Sequence, residues 1–142
     1  TSFSFANCAR SLVYGAMVPL KLDMDILVGE NVRMDSLLGH GGFFKTPGTA
    51  QKLLAGALNT PVSVMETAGE GGPWGMALLA AYRVHRETDE TLEDYLTHHV
   101  FAGANSVTIE PDAEDVQGFA AYARRFEEGL SAERAAVSAL KV

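Results

Sequence analysis

The stretch Val32-Arg33-Met34-Asp35-Ser36-Leu37-Leu38-Gly39-His40-Gly41-Gly42-Phe43-Phe44-Lys45-Thr46-Pro47 passes from a partly apolar run, through a glycine turn, to a proline that suits the first turn of a helix. It predicts a strand of about five residues within Val32 to Leu38, a usual strand length. Behind Pro47, Ala50, Leu53, Leu54, Ala57 and Leu58 form an amphipathic stripe, and Asn59-Thr60-Pro61 ends that helix. Val62-Ser63-Val64-Met65-Glu66 then alternates apolar with polar residues and reads as a second strand. Gly69, Gly71, Gly72, Pro73 and Gly75 follow, leading into the apolar helix Met76 to Tyr82. Two successive strand, glycine loop and helix units predict an α/β fold: a small sheet with parallel strands flanked by helices. Parallel neighbours need a crossover connection, which a helix supplies. Two strands make a poor sheet, so further strands are expected, either overlooked within the chain or supplied from outside it.

Upstream, Thr1, Ser4 or Asn7 caps a helix in which Phe5, Cys8, Ala9, Leu12, Val13, Ala16 and Met17 recur at helical spacing. Pro19 is expected to kink it, because it removes one backbone hydrogen bond. The apolar pattern continues through Leu27 to the Gly29-Glu30-Asn31 break. Downstream, Thr91 to Val100 reads as a short helix and Ala102 to Glu110 as a loop or extended segment. Asp112 caps a final helix whose acidic first turn suits the positive end of the helix dipole, with Val116, Phe119, Ala120, Ala123, Phe126 and Leu130 as its apolar stripe.

A chain of 142 residues buries roughly two-thirds of the surface its unfolded form exposes and needs no metal or disulfide to fold. Eleven Lys and Arg stand against 18 Asp and Glu, a net charge of −7, and the basic residues are scattered; nucleic acid and anionic membranes are therefore poor partners. The run Leu12 to Leu20 is far shorter than the roughly 20 residues that span a bilayer. Cys8 and the methionines read as core, and a lone cysteine fits a reducing compartment, so the expected location is the cytoplasm. A start at Thr1-Ser2-Phe3, without a basic signal segment, suggests a piece of something longer.

The Gly39 to Gly42 turn lets a backbone approach a ligand closely. It is neither G-x-G-x-x-G nor a Walker A loop, so a dinucleotide site of Rossmann type has little support. In parallel α/β sheets ligands gather at the carboxyl ends of the strands, which would bring both glycine turns to one edge. Phe43, Phe44 and Trp74 offer flat apolar surfaces for a base, and Glu66 and Glu70 offer acceptors for ribose hydroxyls. His98-His99 point about 100° apart on a helix and read as helix-end residues rather than metal ligands; His40 reads as polar filler of its turn. The acidic run Glu87 to Asp94 reads as a solvated face, and Ser36, Ser63 and Thr46 lack a nucleophile elbow.

Gly41-Gly42-Phe43-Phe44-Lys45-Thr46-Pro47, the helix with Gln51, Asn59-Thr60-Pro61-Val62 and Gly75-Met76-Ala77-Leu78-Leu79-Ala80 together resemble the carboxy-terminal portion of the FGGY carbohydrate kinases. Phe101 onward, with Pro111-Asp112 and Phe119-x-x-Tyr122-x-x-x-Phe126, is similar to the tail of pentulose kinases in that family. The resemblance implies an actin-like, ribonuclease H-like ATPase fold, with residues 1–142 as a partial carboxy-terminal domain. It also implies an adenosine pocket at Gly41, Gly42, Phe43, Lys45 and Thr46, closed on another side by Trp74 and Gly75. The implied activity is ATP-dependent phosphorylation of a sugar, a ketopentose such as xylulose or ribulose, with ATP and Mg2+ as cofactors. ADP and the sugar are the implied small-molecule partners, the sugar held through a missing half.

Two departures from the family pattern bear on the pocket: Phe43-Phe44 in place of small residues, and Pro73-Trp74 in place of Ala-Leu before Gly75. The family's Asp-x-Gly-Thr phosphate loop, catalytic aspartate and second phosphate loop are not recognisable here, so the fragment alone is expected to be inactive. One alternative is a non-catalytic nucleotide-binding or assembly module whose pocket is filled by Phe43, Phe44 and Trp74; another is a Rossmann-like cofactor binder. Exposed apolar surface would favour a homo-oligomer.

Overall fold

A computed structural model describes residues 2–140. The first helix, α1 (Phe5–Gly29), begins where the Ser4 hydroxyl accepts a hydrogen bond from the Asn7 N–H at 3.2 Å, one of the orphan donors of a helix start. Pro19 lies inside it, and the helix runs on to Gly29. Tyr14, Met17 and Val18 before the proline, and Leu22 and Met24 after it, pack on one core. The helix stops where Asn31 turns left-handed at φ 63°.

Strand β1 (Leu37–Gly39) is three residues long, shorter than the run Val32 to Leu38 suggested. Ladder pairing begins only at Leu37, whose N–H donates to the Pro61 carbonyl at 2.8 Å; Arg33 and Asp35 before it pair with each other. A 3-10 turn (Gly42–Lys45) leads to α2 (Thr49–Leu58), which ends on Asn59 in the left-handed conformation at φ 50°. Strand β2 (Val62–Met65) lies parallel to β1, with Leu37 opposite Val62 and Gly39 opposite Val64. The strand, turn, helix and strand unit expected around Gly39 to Gly42 is therefore present.

After a second 3-10 turn (Ala68–Glu70), α3 (Gly71–His85) begins within the glycine cluster. Gly71 to Gly75 thus form the opening turns of a helix and not a loop; Pro73 is tolerated because the first N–H groups of a helix have no intrahelical acceptor. A single turn, α4 (Leu92–Tyr95), continues into a π-helical turn (Leu96–Val100). Strand β3 (Ser106–Ile109) comes next, inside the segment read as loop or extended. It pairs antiparallel to β2, with Met65 opposite Ser106 and Val62 opposite Ile109. The sheet order is β1-β2-β3, so the expected parallel sheet is corrected to a mixed one. The cause is geometric: the α3 to α4 segment leaves and returns at the same end of β2, with no crossover to carry the chain to the other end, so β3 runs in the opposite direction.

Helix α5 (Ala113–Ala139) starts on Asp112, whose carboxylate accepts from the Glu114 and Asp115 N–H groups at 3.0 and 3.2 Å. It packs across α1 and α2. Phe119 is fully buried with its ring edge-on to Tyr14 at 5.0 Å, and the Tyr122 hydroxyl donates to the Ser11 carbonyl at 2.9 Å. A Cβ at Gly56 would stand 2.8 Å from the Asp115 Cβ, so glycine permits the close approach of α2 and α5. The core is Tyr14, Met17, Val18, Ala57, Leu58, Phe119 and Ala123. Cys8 lies exposed on the outer side of α1, and Met76 is exposed on α3; both correct the reading of these residues as core. No described helix is long and apolar enough to cross a membrane.

Candidate functional site

A cavity of about 650 Å³ opens at the carboxyl end of β2. The Gly42–Lys45 turn and the start of α2 form one side, the Ala68–Glu70 turn another, and β3 a third. Phe44, Lys45, Gln51, Glu66, Glu70 and Val107 are among the residues that line it. Its size is in the ordinary range for a small-molecule site, roughly 300–1,000 Å³.

Close approach dictates the glycines of the first turn. A Cβ at Gly39 would sit 2.5 Å from the Phe44 ring, so the turn folds back on the strand only because position 39 carries no side chain. Gly41 holds φ 101°, a backbone conformation that L side chains rarely adopt. Its N–H donates to the Ala68 carbonyl at 2.6 Å, which stitches the two turns together. The Lys45 ammonium pairs with the Glu70 carboxylate at 2.6 Å across the same gap. Both side chains are more than half exposed, so the pair adds little stability and its lysine is free to exchange partners.

Gln51 is buried, 5% exposed, on the inner face of α2. Its side-chain nitrogen donates to the Val62 carbonyl at 3.0 Å and to the Val107 carbonyl at 2.8 Å. One amide thereby ties the helix behind the first glycine turn to two strands. In the sequence Gln51 belongs to a family pattern, and a polar residue three and seven positions before Leu54 and Leu58, on an otherwise apolar face, is a signal of a buried polar contact. Asn105 and Val107 also line the cavity, from a segment whose sequence reads only as loop or extended.

Of the residues expected to meet a nucleotide, Lys45 lines this cavity directly, with Glu66 and Glu70. Gly41 and Gly42 form the turn behind it, and Thr46 connects Lys45 to the lining residue Pro47. Phe43 stands elsewhere: its ring meets Phe44 edge-on at 5.5 Å and lines an apolar groove with Leu12, Met17 and Leu20 of α1. Phe44 is the shared wall of groove and cavity. Trp74 and Gly75 lie in the first turns of α3, outside the lining, and Trp74 Nε1 is enclosed without a hydrogen-bond partner.

His40 packs beside Gly71, within 3.1 Å of where a Cβ there would be. His98 bonds the Asp94 carbonyl at 2.9 Å, and His99 bonds Glu90 at 2.9 Å, so both serve the α4 segment. Among the described residues no group of three or more His, Cys, Asp or Glu could hold a metal ion. Away from the cavity, burial pushes the Tyr14 phenol above its usual 10.0; the Arg10 guanidinium acts in the opposite direction and Asp115 adds to the rise.

Comparison with known proteins places these elements. The sequence model of the C-terminal domain of the FGGY family of carbohydrate kinases matches residues 1–84, from α1 through nearly all of α3. The match includes both glycine turns and Gln51, and ends before β3 and α5. No curated protein and no solved structure matches the chain.

Proposed function

Since the chain belongs to the FGGY family of carbohydrate kinases, matching its C-terminal domain, we propose that the cavity beside the first glycine turn forms the adenosine-binding side of an ATP-dependent sugar kinase. The observation that carries this reading is the convergence of two glycine-bearing turns, a partly exposed cation at Lys45 and a buried amide at Gln51 on one cavity at the strand ends. The proposal extends to an actin-like fold for the parent protein, to residues 1–142 as part of its carboxy-terminal domain, and to a ketopentose, xylulose or ribulose, as acceptor. The acceptor class rests on the likeness of Phe101 onward to the tail of pentulose kinases.

When bound, ATP supplies the phosphoryl group that a sugar hydroxyl accepts. The chain's own residues bind and orient. Gly41 and Gly42 leave the backbone of the turn uncovered, so a ligand can lie against it. Lys45 can turn from Glu70 toward a phosphate, and Glu66 and Glu70 can accept from ribose hydroxyls. Thr46 holds Lys45 next to Pro47 at the rim; Phe43, Trp74 and Gly75 belong to the proposed set as its outer members.

The test is ADP release by the intact protein that carries this chain, with MgATP and a panel of ketopentoses, polyols and hexoses. Turnover that depends on xylulose or ribulose is the expected result. ATP binding with no turnover on any acceptor would favour a non-catalytic nucleotide-binding module, and no ATP binding would remove the adenosine reading altogether.

A further inference from the structure

Gln51 is the one lining residue of the cavity that is both polar and almost wholly enclosed. The identity of its two amide atoms follows from their neighbours. Two main-chain carbonyls, Val62 O and Val107 O, stand 3.0 and 2.8 Å from one atom of the amide, and carbonyl oxygens accept only from a donor, so that atom is Nε2. Both of its hydrogens are thereby committed. The remaining atom, Oε1, is a fixed acceptor: the amide cannot flip without opposing its oxygen to two carbonyl oxygens.

Among the described residues, no donor bonds to Gln51 Oε1. The fully enclosed side-chain polar atoms without a hydrogen-bond partner are Trp74 Nε1 and Asp115 Oδ2, the latter within 3.3 Å of the Lys52 ammonium, and Gln51 Oε1 is not one of them. It is therefore reached by solvent, from a residue whose accessible face lines the cavity. A buried amide held at one end by two strands and open at the other is an acceptor set in advance for a ligand donor, with little ordering cost left when the ligand arrives.

We infer that Gln51 is a specificity-determining residue of this cavity, and that Oε1 accepts a hydrogen bond from the exocyclic amino group of a purine base. The inference rests on the adenosine reading above and adds the base discrimination to it. A purine with a 6-keto group would oppose oxygen to oxygen at this point, and one with no 6-substituent would leave Oε1 unpaired under the ligand. Both are disfavoured, because a buried acceptor left without a donor loses its solvation and gains nothing.

The test compares the affinities of ATP, ITP and purine riboside triphosphate for the intact protein, in the wild type and in Gln51→Met, which keeps the length of the side chain and removes the acceptor. ATP is expected to bind the wild type roughly tenfold tighter than either analogue, the worth of one hydrogen bond. In Gln51→Met the preference is expected to collapse to within about twofold as ATP falls to the level of the analogues. A purely structural role for Gln51 would weaken all three ligands together and leave their ratio unchanged, which would overturn the inference. Equal binding of ATP and purine riboside triphosphate to the wild type would overturn it too while leaving the adenosine reading intact, and this arm stands even if Gln51→Met fails to fold. Binding of none of the three overturns the adenosine reading and the inference with it.

Discussion

In the block formed by α1, α2 and α5, Tyr14, Val18, Leu58 and Phe119 are buried against one another, whereas α3 carries Met76, Leu79 and Val84 on its surface and buries no residue fully. Both regions are rich in apolar side chains. They differ in partners: three helices share the first core, while α3 meets the rest of the chain through the short turn before it and through Tyr82, whose ring stands edge-on to Tyr95 at 5.5 Å. Apolar composition alone does not make a core; a second surface has to face it. The candidate site lies on the border between the two regions. Phe44 and Gln51 anchor it to the packed block and the sheet, and the Ala68–Glu70 turn, which leads into α3, closes its other side.

That contrast can be broken first at Phe119. Phe119→Ala removes the largest fully buried side chain, and a loss of about 3–5 kcal/mol in denaturant unfolding is expected. A loss below 1 kcal/mol would mean that the block is no better packed than α3. Next is Gly56→Val, which forces α2 and α5 apart where a Cβ would stand 2.8 Å from Asp115; a cost of about 1–3 kcal/mol follows from overpacking. An unchanged midpoint would show that the two helices are not held in contact.

Gly39→Ala sharpens the comparison at the border itself. The added methyl meets the Phe44 ring at 2.5 Å, so the ring must swing toward the cavity or the groove. The expected result is a fall in ATP affinity of about tenfold, the effect of about 1.4 kcal/mol, read by titration calorimetry. Met76→Ser on the exposed face of α3 is expected to shift stability by no more than about 0.5 kcal/mol in thermal unfolding. Tyr14→Phe gives the smallest effect at neutral pH and a diagnostic one in base. The folded phenol titrates above 10.0, so its contribution is complete below that pH and is lost as pH rises through the folded value. The wild type should lose stability there more steeply than the variant.

The first glycine turn, α2 and β2 were legible because their signals are local: Pro47 at a helix start, Asn59 at its end, alternation in Val62 to Met65. Direct reading also found the Asp112 cap of α5. The β3 strand reads only as loop or extended, although Ser106-Val107-Thr108-Ile109 alternates as Val62 to Met65 does: no turn signal and helix stripe frame it, it is mostly exposed, and its direction depends on where α3 and α4 return the chain. Gly71 to Gly75 misled for a related reason. Glycine and proline mark turns by propensity, yet a helix's first turn accepts both when the preceding segment sets its start. In the site, Lys45 was visible as part of a motif, whereas the role of Gln51 depends on carbonyls 11 and 56 residues away, a pairing that no short pattern encodes.

The most direct test of the account is amide hydrogen exchange on the intact protein with and without ATP. Added protection confined to residues 41–51, 65–70 and 105–107, with α3 from Met76 onward and the far half of α5 unchanged, is the predicted result. Protection along the exposed face of α3, or bound ATP that leaves the glycine turns and β3 unprotected, would contradict it.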